Sequence, residues 1–318
     1  MSSRPASDQP PSRSTSPARP AAPAAPPVRY QSPDEDGARW LGFPFRDGDV
    51  VISTRSKSGT TWVQMICALL VFKTPQLPRP LADLSPWFDW LTAPRDVVLA
   101  RLEAQTHRRF IKTHLPLDGL PLDPRATYLV VARHPLDAAV SMYHHQANLD
   151  RARWRDLVGL ALGPQAPPER PPLHDWLVEW IDDTTPIEEN LDRMFGIFHH
   201  LRDAWARRGE PNVVLLHYAD LVADLDGVMR SLAGRIGEQV PEAVWPDLVT
   251  AAGFASMQDR AADLVPDRSG VIRDPKAFFR AGRSGAHDGV LSAAELAHYH
   301  DRAATLADPD LLTWLHRG

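Results

Sequence analysis

The sequence predicts an α/β protein: a parallel β-sheet with helices on both faces, folded as a single domain. Three observations carry that prediction. Four short apolar runs have the unbroken hydrophobic character of strands buried on both sides. Helix-length segments separate the runs, and alternating strand and helix implies parallel pairing. The first run passes straight into a Gly-containing polar turn and then an apolar helix, an arrangement that points backbone N–H groups at one spot.

The elements follow in order. Residues 1–34 hold nine of the 31 prolines and almost no large apolar side chains, so a disordered or extended tail is expected there and a folded domain over 35–318. Asp49-Val-Val-Ile-Ser53 is the first strand and Val63–Phe72 the helix after the turn. Asp96–Gln105 reads as a helix, Arg109–Lys112 as the second strand, Tyr128–Ala132 as the third and Asp137–His145 as the helix behind it. Gly163–Pro172 is a Pro-rich interruption, open between a flap over a site and a plain surface connector. Asn190–Arg208 is helical, and Val213–Tyr218 is the fourth strand. Ser292-Ala-Ala-Glu295 has the spacing of a capping box and starts a helix towards Leu306. Ligands bind at the carboxyl ends of the strands in such sheets, so chemistry is sought just past each run.

Bulk properties exclude several classes. The 318-residue chain carries a net charge of −5, which gives no basis for a nucleic-acid surface. Its single cysteine, Cys67, forms no internal disulfide, which fits a reducing compartment. No apolar run reaches the roughly 18 residues of a membrane span, and the N-terminus lacks the apolar core of a signal peptide. A cytoplasmic location without a transmembrane segment is expected.

The turn after the first strand reads Thr54-Arg55-Ser56-Lys57-Ser58-Gly59-Thr60-Thr61-Trp62. A helix N-terminus favours negative charge, Gly59 lets the backbone approach a ligand, and Lys57 adds a formal cation. This is an anion cradle, suited to a nucleotide phosphate. It is not the nucleoside-triphosphate loop, in which Lys directly follows the last Gly, because Lys57 precedes Gly59.

The Lys-Ser-Gly-Thr-Thr-Trp order resembles the 5′-phosphosulfate loop of sulfotransferases that use 3′-phosphoadenylyl sulfate (PAPS). Four further segments share that resemblance in order and spacing. Lys112-Thr-His114-Leu-Pro is similar to the family segment whose His is the catalytic base; a His just past a strand end titrates in the right range for that work. Arg133-His-Pro-Leu-Asp-Ala-Ala-Val-Ser141 resembles the 3′-phosphate segment, with Arg133 and Ser141 in its binding positions. Tyr218 falls where the family has an adenine-contacting Tyr, and Phe254-Ala-Ser-Met257 is similar to its Phe-x-x-Met segment. Trp62 is the other aromatic expected against adenine. Arg280-Ala281-Gly282-Arg-Ser-Gly285 matches Arg-Lys-Gly-x-x-Gly, with Ala281 in place of a cation. Ala286-His287-Asp288 replaces the acidic–aromatic–basic triplet that usually follows, and Arg55-Ser56 replaces Tyr-Pro. The matches run from Val50 to about Gly285, and further segments look closest to actinobacterial glycolipid sulfotransferases.

The resemblance implies a P-loop-like sulfotransferase fold, PAPS as donor and no metal. It implies catalytic roles for His114, Lys57, Lys112 and Ser141, with His114 removing the acceptor's hydroxyl proton in an in-line transfer. The donor is expected on Lys57, Ser58, Gly59, Thr60, Thr61, Trp62, Arg133, Ser141, Tyr218, Phe254, Met257, Arg280, Ala281 and Gly282. The acceptor is a small molecule or glycolipid, expected against Trp87, Phe88 and Asp89, with Trp90 beside them and Trp176 and Trp180 as a second wall or plain core. Two other readings stay open: an ATP-dependent small-molecule kinase, for which Asp220 is the best support, and a non-catalytic protein that binds PAPS or its product. Acceptor identity and oligomeric state are not legible.

Overall fold

The computed structural model describes residues 26–159, 170–265 and 270–317. Four parallel strands form one sheet: β1 (Val50–Ser53), β2 (Phe110–Thr113), β3 (Thr127–Ala132) and β4 (Val213–His217), in the order β2-β1-β3-β4. Val51 is in register with Ile111 on one side and Tyr128 on the other.

Alternation along each strand divides the core in two. Val51, Ile111, Tyr128 and Val130 point into one apolar cluster; Val50, Ile52, Phe110, Leu129 and Val131 point into the other. Helices α1 (Thr60–Phe72), α6 (Leu225–Ile236) and α7 (Trp245–Ala252) cover the second face. Helices α3 (Pro135–Ala147), α4 (Leu173–Asp182), α5 (Met194–Ala206) and α8 (Ala293–Leu306) cover the first. Helix α2 (Arg95–Glu103) leads into β2, and shorter helices fill the connections. A sheet buried on both faces needs continuous apolar strands, which is why each strand reads as an unbroken hydrophobic run.

Most expected boundaries shift by a residue or two, and three of the shifts have a clear local reason. Helix α1 begins at Thr60 rather than Val63, because Gly59 in a left-handed conformation (φ 110°) lets the chain turn into the helix at once. Strand β4 stops at His217, and Tyr218 opens a short helix: the His217 ring accepts a hydrogen bond from the Ala219 N–H at 3.1 Å and so caps it. Helix α5 starts at Met194 rather than Asn190, because the Asn190 side chain accepts from the Asp192 N–H at 2.9 Å and holds a turn there. The capping box at Ser292 and Glu295 forms with both of its hydrogen bonds.

Residues 1–25 of the proline-rich start lie outside the described residues, as do residues 160–169 of the Pro-rich connector. Residues 26–34 lie against the body: the Val28 N–H donates to the Asp118 carbonyl at 2.8 Å and Tyr30 is buried. No described helix is long and apolar enough to cross a membrane.

Candidate active site

A cavity of about 520 Å³ lies at the carboxyl ends of the strands. That volume is in the usual range for a ligand site. The cradle is its floor. The Ser58 N–H donates to the Arg55 carbonyl, and the first N–H to find a carbonyl along α1 is that of Val63, on Gly59. Among the described residues the N–H groups of Gly59 to Trp62 have no backbone acceptor, so they are available to an anion. Lys57 also sits at positive φ (64°), which turns the loop back under α1. A Cβ on Gly59 would come within 3.2 Å of the Tyr218 ring, so a side chain there would close the cradle.

Of the Lys and Arg side chains on the cavity wall, four stand close enough to repel one another: Lys57, Lys112, Arg133 and Arg280. Burial is the main force that lowers the Lys57 pKa, to about 7, and Arg133, Lys112 and Arg280 push it the same way. Lys57 and Lys112 each rest on an aromatic face, Nζ lying 4.0 Å from the centre of Phe278 and of Trp87 respectively. The Arg133 guanidinium donates to the carbonyls of Lys57 (3.3 Å) and Arg283 (3.0 Å), tying the cradle to the glycine-rich segment after Arg280. Its other contacts are the Tyr218 face, 4.3 Å away, and Asp137 at 4.0 Å. A cluster of like charges held together in this way is destabilising until an anion arrives.

His114 is 6% exposed and lines the same cavity. Its Nδ1 faces the Thr54 carbonyl, which accepts a hydrogen bond from it. The proton is therefore on Nδ1, and Nε2 carries the free lone pair. Burial above all, then Lys112 and Arg55, hold the His114 pKa well below its usual value, so the ring is a neutral base near pH 7. Arg55 donates to the backbone carbonyl of His114 and to Asp192 at 2.6 Å. Two cradle residues thus fix the imidazole: Thr54 its ring and Arg55 its backbone.

Trp62, Tyr218, Phe254 and Met257 form an aromatic and apolar end of the cavity, with Arg280, Ala281 and Gly282 beside it. Trp62 and Tyr218 meet edge to face at 5.3 Å, and the Trp62 indole donates to the Ala252 carbonyl. Gly282 has φ +62°, and a Cβ there would fall 2.3 Å from the Phe254 ring, so only glycine permits this closeness. His287, which stands where an aromatic was expected, has a structural partner: its Nδ1 and its N–H bond Asp137 at 2.7 and 3.2 Å, and the Gly285 N–H bonds Asp137 at 2.9 Å. The altered segment is therefore anchored through Asp137 to α3, the helix that follows Arg133.

The cavity wall includes Lys57, Gly59, Thr60, Thr61, Trp62, Trp87, Trp90, Lys112, His114, Arg133, Ser141 and Tyr218 of the expected residues. Ser58 is buried under the loop and does not reach it. Phe88 and Asp89 do not reach it either. Phe88 packs edge-on against Trp40 and Phe43 at 4.9 and 4.8 Å, and Asp89 is fully buried against the Trp40 indole. A turn explains this: the chain bends at Phe88 and Asp89 between the bridge residues Trp87 and Trp90, so the two indoles stack on the cavity side and the residues between them go into the core. Trp176 and Trp180 are core residues, the Trp180 indole donating to the Asp192 carbonyl. Arg283 is exposed and brings only its carbonyl to Arg133. Asp220 pairs with Arg317 at 3.1 Å and is not on the cavity wall, so the feature that favoured a kinase is absent from the site. Among the described residues no group of three or more His, Cys, Asp or Glu is arranged to hold a metal.

Several wall residues have no signal in the sequence: Asp34, Glu35, His145, Asp192 and Phe278. Arg55 was visible only as a departure from the Tyr-Pro pattern.

Comparison with known proteins follows the same lines. The sulfotransferase domain family matches residues 47–303. A glycolipid sulfotransferase of Mycobacterium bovis is 40% identical, over 92% of this chain and 94% of that protein. Among solved structures, a mouse sulfotransferase complexed with PAP superposes with a TM-score of 0.65 at 18% identity, covering 88% of this chain and 92% of that one. A retinol dehydratase in complex with androsterone and PAP gives 0.63 at 21% identity, covering 86% of each chain. At these identities the structures speak for the fold.

Proposed function

The chain belongs to the sulfotransferase family and is an enzyme of the PAPS-dependent class; we propose that its acceptor is a hydroxyl of a glycolipid and that His114 is the base that takes its proton. One observation carries the site assignment: a neutral imidazole with Nε2 free shares a cavity with four cations and the unpartnered N–H groups of a helix N-terminus. The glycolipid acceptor rests on the name of the mycobacterial relative at 40% identity.

The cavity fits the donor in three ways. Its cradle requires Gly59, its cations outnumber the carboxylates beside them, and its apolar end needs Gly282 to bring Phe254 close. When bound, PAPS supplies the sulfuryl group and a phosphate leaving group. The N–H groups from Gly59 to Trp62 hold the 5′-phosphate. Arg133, Ser141 and Arg280 hold the 3′-phosphate, and Gly282 lets its backbone approach. Tyr218, Phe254, Trp62 and Met257 give the adenine flat apolar surface.

The remaining chemistry belongs to this chain's own groups. His114 Nε2 accepts the acceptor's hydroxyl proton as that oxygen attacks. Lys57 donates to the oxygen that accumulates charge on the leaving side, and Lys112 neutralises the sulfuryl oxygens. The protein does little covalent work; in-line placement and charge stabilisation do most of it, as in phosphoryl transfer.

The test is a thermal-shift comparison of 3′,5′-adenosine bisphosphate (PAP) with ATP and magnesium, joined to an assay of labelled sulfate transfer. PAP should raise the melting temperature by mass action, without need for magnesium. Stabilisation by ATP with magnesium and none by PAP would restore the kinase reading.

A further inference from the structure

The cavity continues past His114. Its far wall comes from outside the donor motifs: Asp34 and Glu35, Asp192, and the Trp87–Trp90 pair, whose rings stack at 5.0 Å. Backbone pairing fixes this wall. Glu35 bridges Trp90 in antiparallel fashion, the Leu91 N–H donates to the Asp34 carbonyl at 2.8 Å, and the Asp36 N–H donates to the Asp89 carbonyl at 3.0 Å. The 86–90 stretch is bonded in turn to β2, through Phe88 N–H to the Lys112 carbonyl at 3.1 Å. Glu35 is therefore held two segments out from the strand that carries His114.

Glu35 is only 8% exposed. One carboxylate oxygen lies 3.8 Å from Arg55, beyond hydrogen-bond reach. The other, Oε2, has no hydrogen-bond partner among the described residues, and the same is true of Asp34 Oδ1. A buried polar atom of this kind destabilises the fold unless a ligand satisfies it. Arg55 offsets the Glu35 charge at that distance but gives neither oxygen a hydrogen bond, since it donates to Asp192 and the His114 carbonyl. Burial, with Asp89, Asp192 and Asp34 adding to it and Arg55 opposing, pushes the Glu35 pKa up. A carboxyl group that keeps its proton both donates and accepts.

Carboxyl oxygens without a hydrogen bond, Glu35 Oε2 and Asp34 Oδ1, beside stacked indoles suit a sugar ring. Ring hydroxyls exchange hydrogen bonds with the carboxyls, and the C–H face of the ring rests on an indole. An acceptor with one hydroxyl would spend it at His114 and leave Glu35 Oε2 without a hydrogen bond, and a site built to bond a hydroxyl rejects an analogue that lacks it.

We propose that Glu35, with Asp34 beside it, binds a second hydroxyl of the acceptor while the reacting hydroxyl meets His114, so that the group sulfated is a sugar headgroup. The proposal rests on the cavity being the transfer site. It adds the residue that selects the headgroup.

The test uses hexyl glucoside and hexanol, which share a chain and differ in the sugar. For the wild type, kcat/KM for the glucoside should exceed that for hexanol. In Glu35→Leu the ratio of the two should fall about tenfold or more, and in Glu35→Gln, whose amide also donates and accepts, it should stay within about threefold of wild type. An unaltered melting shift with PAP checks that each variant is folded with its donor site intact. Monodeoxy analogues of the glucoside repeat the test on the wild type alone: loss of one particular ring hydroxyl should cost about tenfold. A Glu35→Leu ratio within twofold of wild type, a wild type that prefers hexanol or turns over neither acceptor while binding PAP, or indifference to every deoxy analogue would overturn the proposal. No melting shift with PAP and no transfer to either acceptor would instead overturn the transfer site itself.

Discussion

Lys57 gives the sharpest quantitative expectation. Its pKa is lowered to about 7 by burial and by Arg133, Lys112 and Arg280. A group with a pKa about 7 is roughly one-tenth protonated at pH 8 and nine-tenths protonated at pH 6. A phosphate placed about 4 Å away contributes on the order of 4 kcal/mol at an effective dielectric of about 20, enough to raise the pKa by about three units. PAP binding should then draw a proton onto Lys57: up to about 0.9 at pH 8 and about 0.1 at pH 6. Lys57 keeps some exposure to the cavity, which moderates its shift; a pKa one unit higher still gives about 0.5 proton at pH 8. The assay is titration calorimetry in buffers of different ionisation heat, for the wild type and Lys57→Met. Subtracting the variant removes protons exchanged by the phosphates themselves, whose second pKa is about 6. The sign carries over to stability. A lysine whose folded pKa is lowered makes the unfolded chain bind more protons between about pH 7 and 10.5, so its contribution to folding improves as pH rises through that window. Lys57→Met should therefore stabilise the unliganded protein more at pH 6 than at pH 10. Equal proton uptake at pH 8 by the wild type and the variant would refute the argument.

Three other outcomes are expected. His114→Ala should lose about 10²–10⁴-fold in kcat while PAP still raises its melting temperature; because the ring's pKa lies well below 6.5, the wild-type kcat should not begin to fall on acidification until the pH is below that value, as a pH profile will show. Gly282→Ala forces a left-handed alanine, costing about 1–2 kcal/mol, and drives a Cβ to 2.3 Å from Phe254. Its Kd for PAP, by the same calorimetry, should rise at least about tenfold. Arg109 and Asp49 form a buried pair joining the starts of β1 and β2, with Arg109 Nε donating to Asp49 at 2.8 Å. Arg109→Leu should cost about 3–5 kcal/mol in denaturant unfolding, and Asp49→Leu combined with it should recover much of the loss.

Much of the donor end was legible because it is local. Strand, turn and helix start are neighbours in the chain, so Lys57, Gly59 and Thr60 announce an anion cradle without any knowledge of the rest. His114 and Arg133 were legible because each follows a strand, and parallel strands place their carboxyl ends together, whereas Tyr218 came from the family resemblance alone. The acceptor end was read less well. Trp87-Phe-Asp-Trp90 reads as one aromatic stretch, yet a turn at Phe88 and Asp89 buries those two and leaves only the outer pair on the cavity. His287 shows a different gap: the missing aromatic looked like a loss, whereas its bond to Asp137, 150 positions away, holds the loop in place.

The sequence by itself determined the α/β class, the sheet's parallel sense and the donor cradle, since these depend on hydrophobic runs and on spacing within about ten residues. Only the tertiary structure decided which nitrogen of His114 is free, how far Lys57 is depressed, and that Glu35 on the cavity wall keeps one carboxylate oxygen without a hydrogen bond. Those properties arise from the Thr54 carbonyl, from cations on separate strands and loops, and from burial. Groups far apart along the chain share an environment only once the sheet has brought them together.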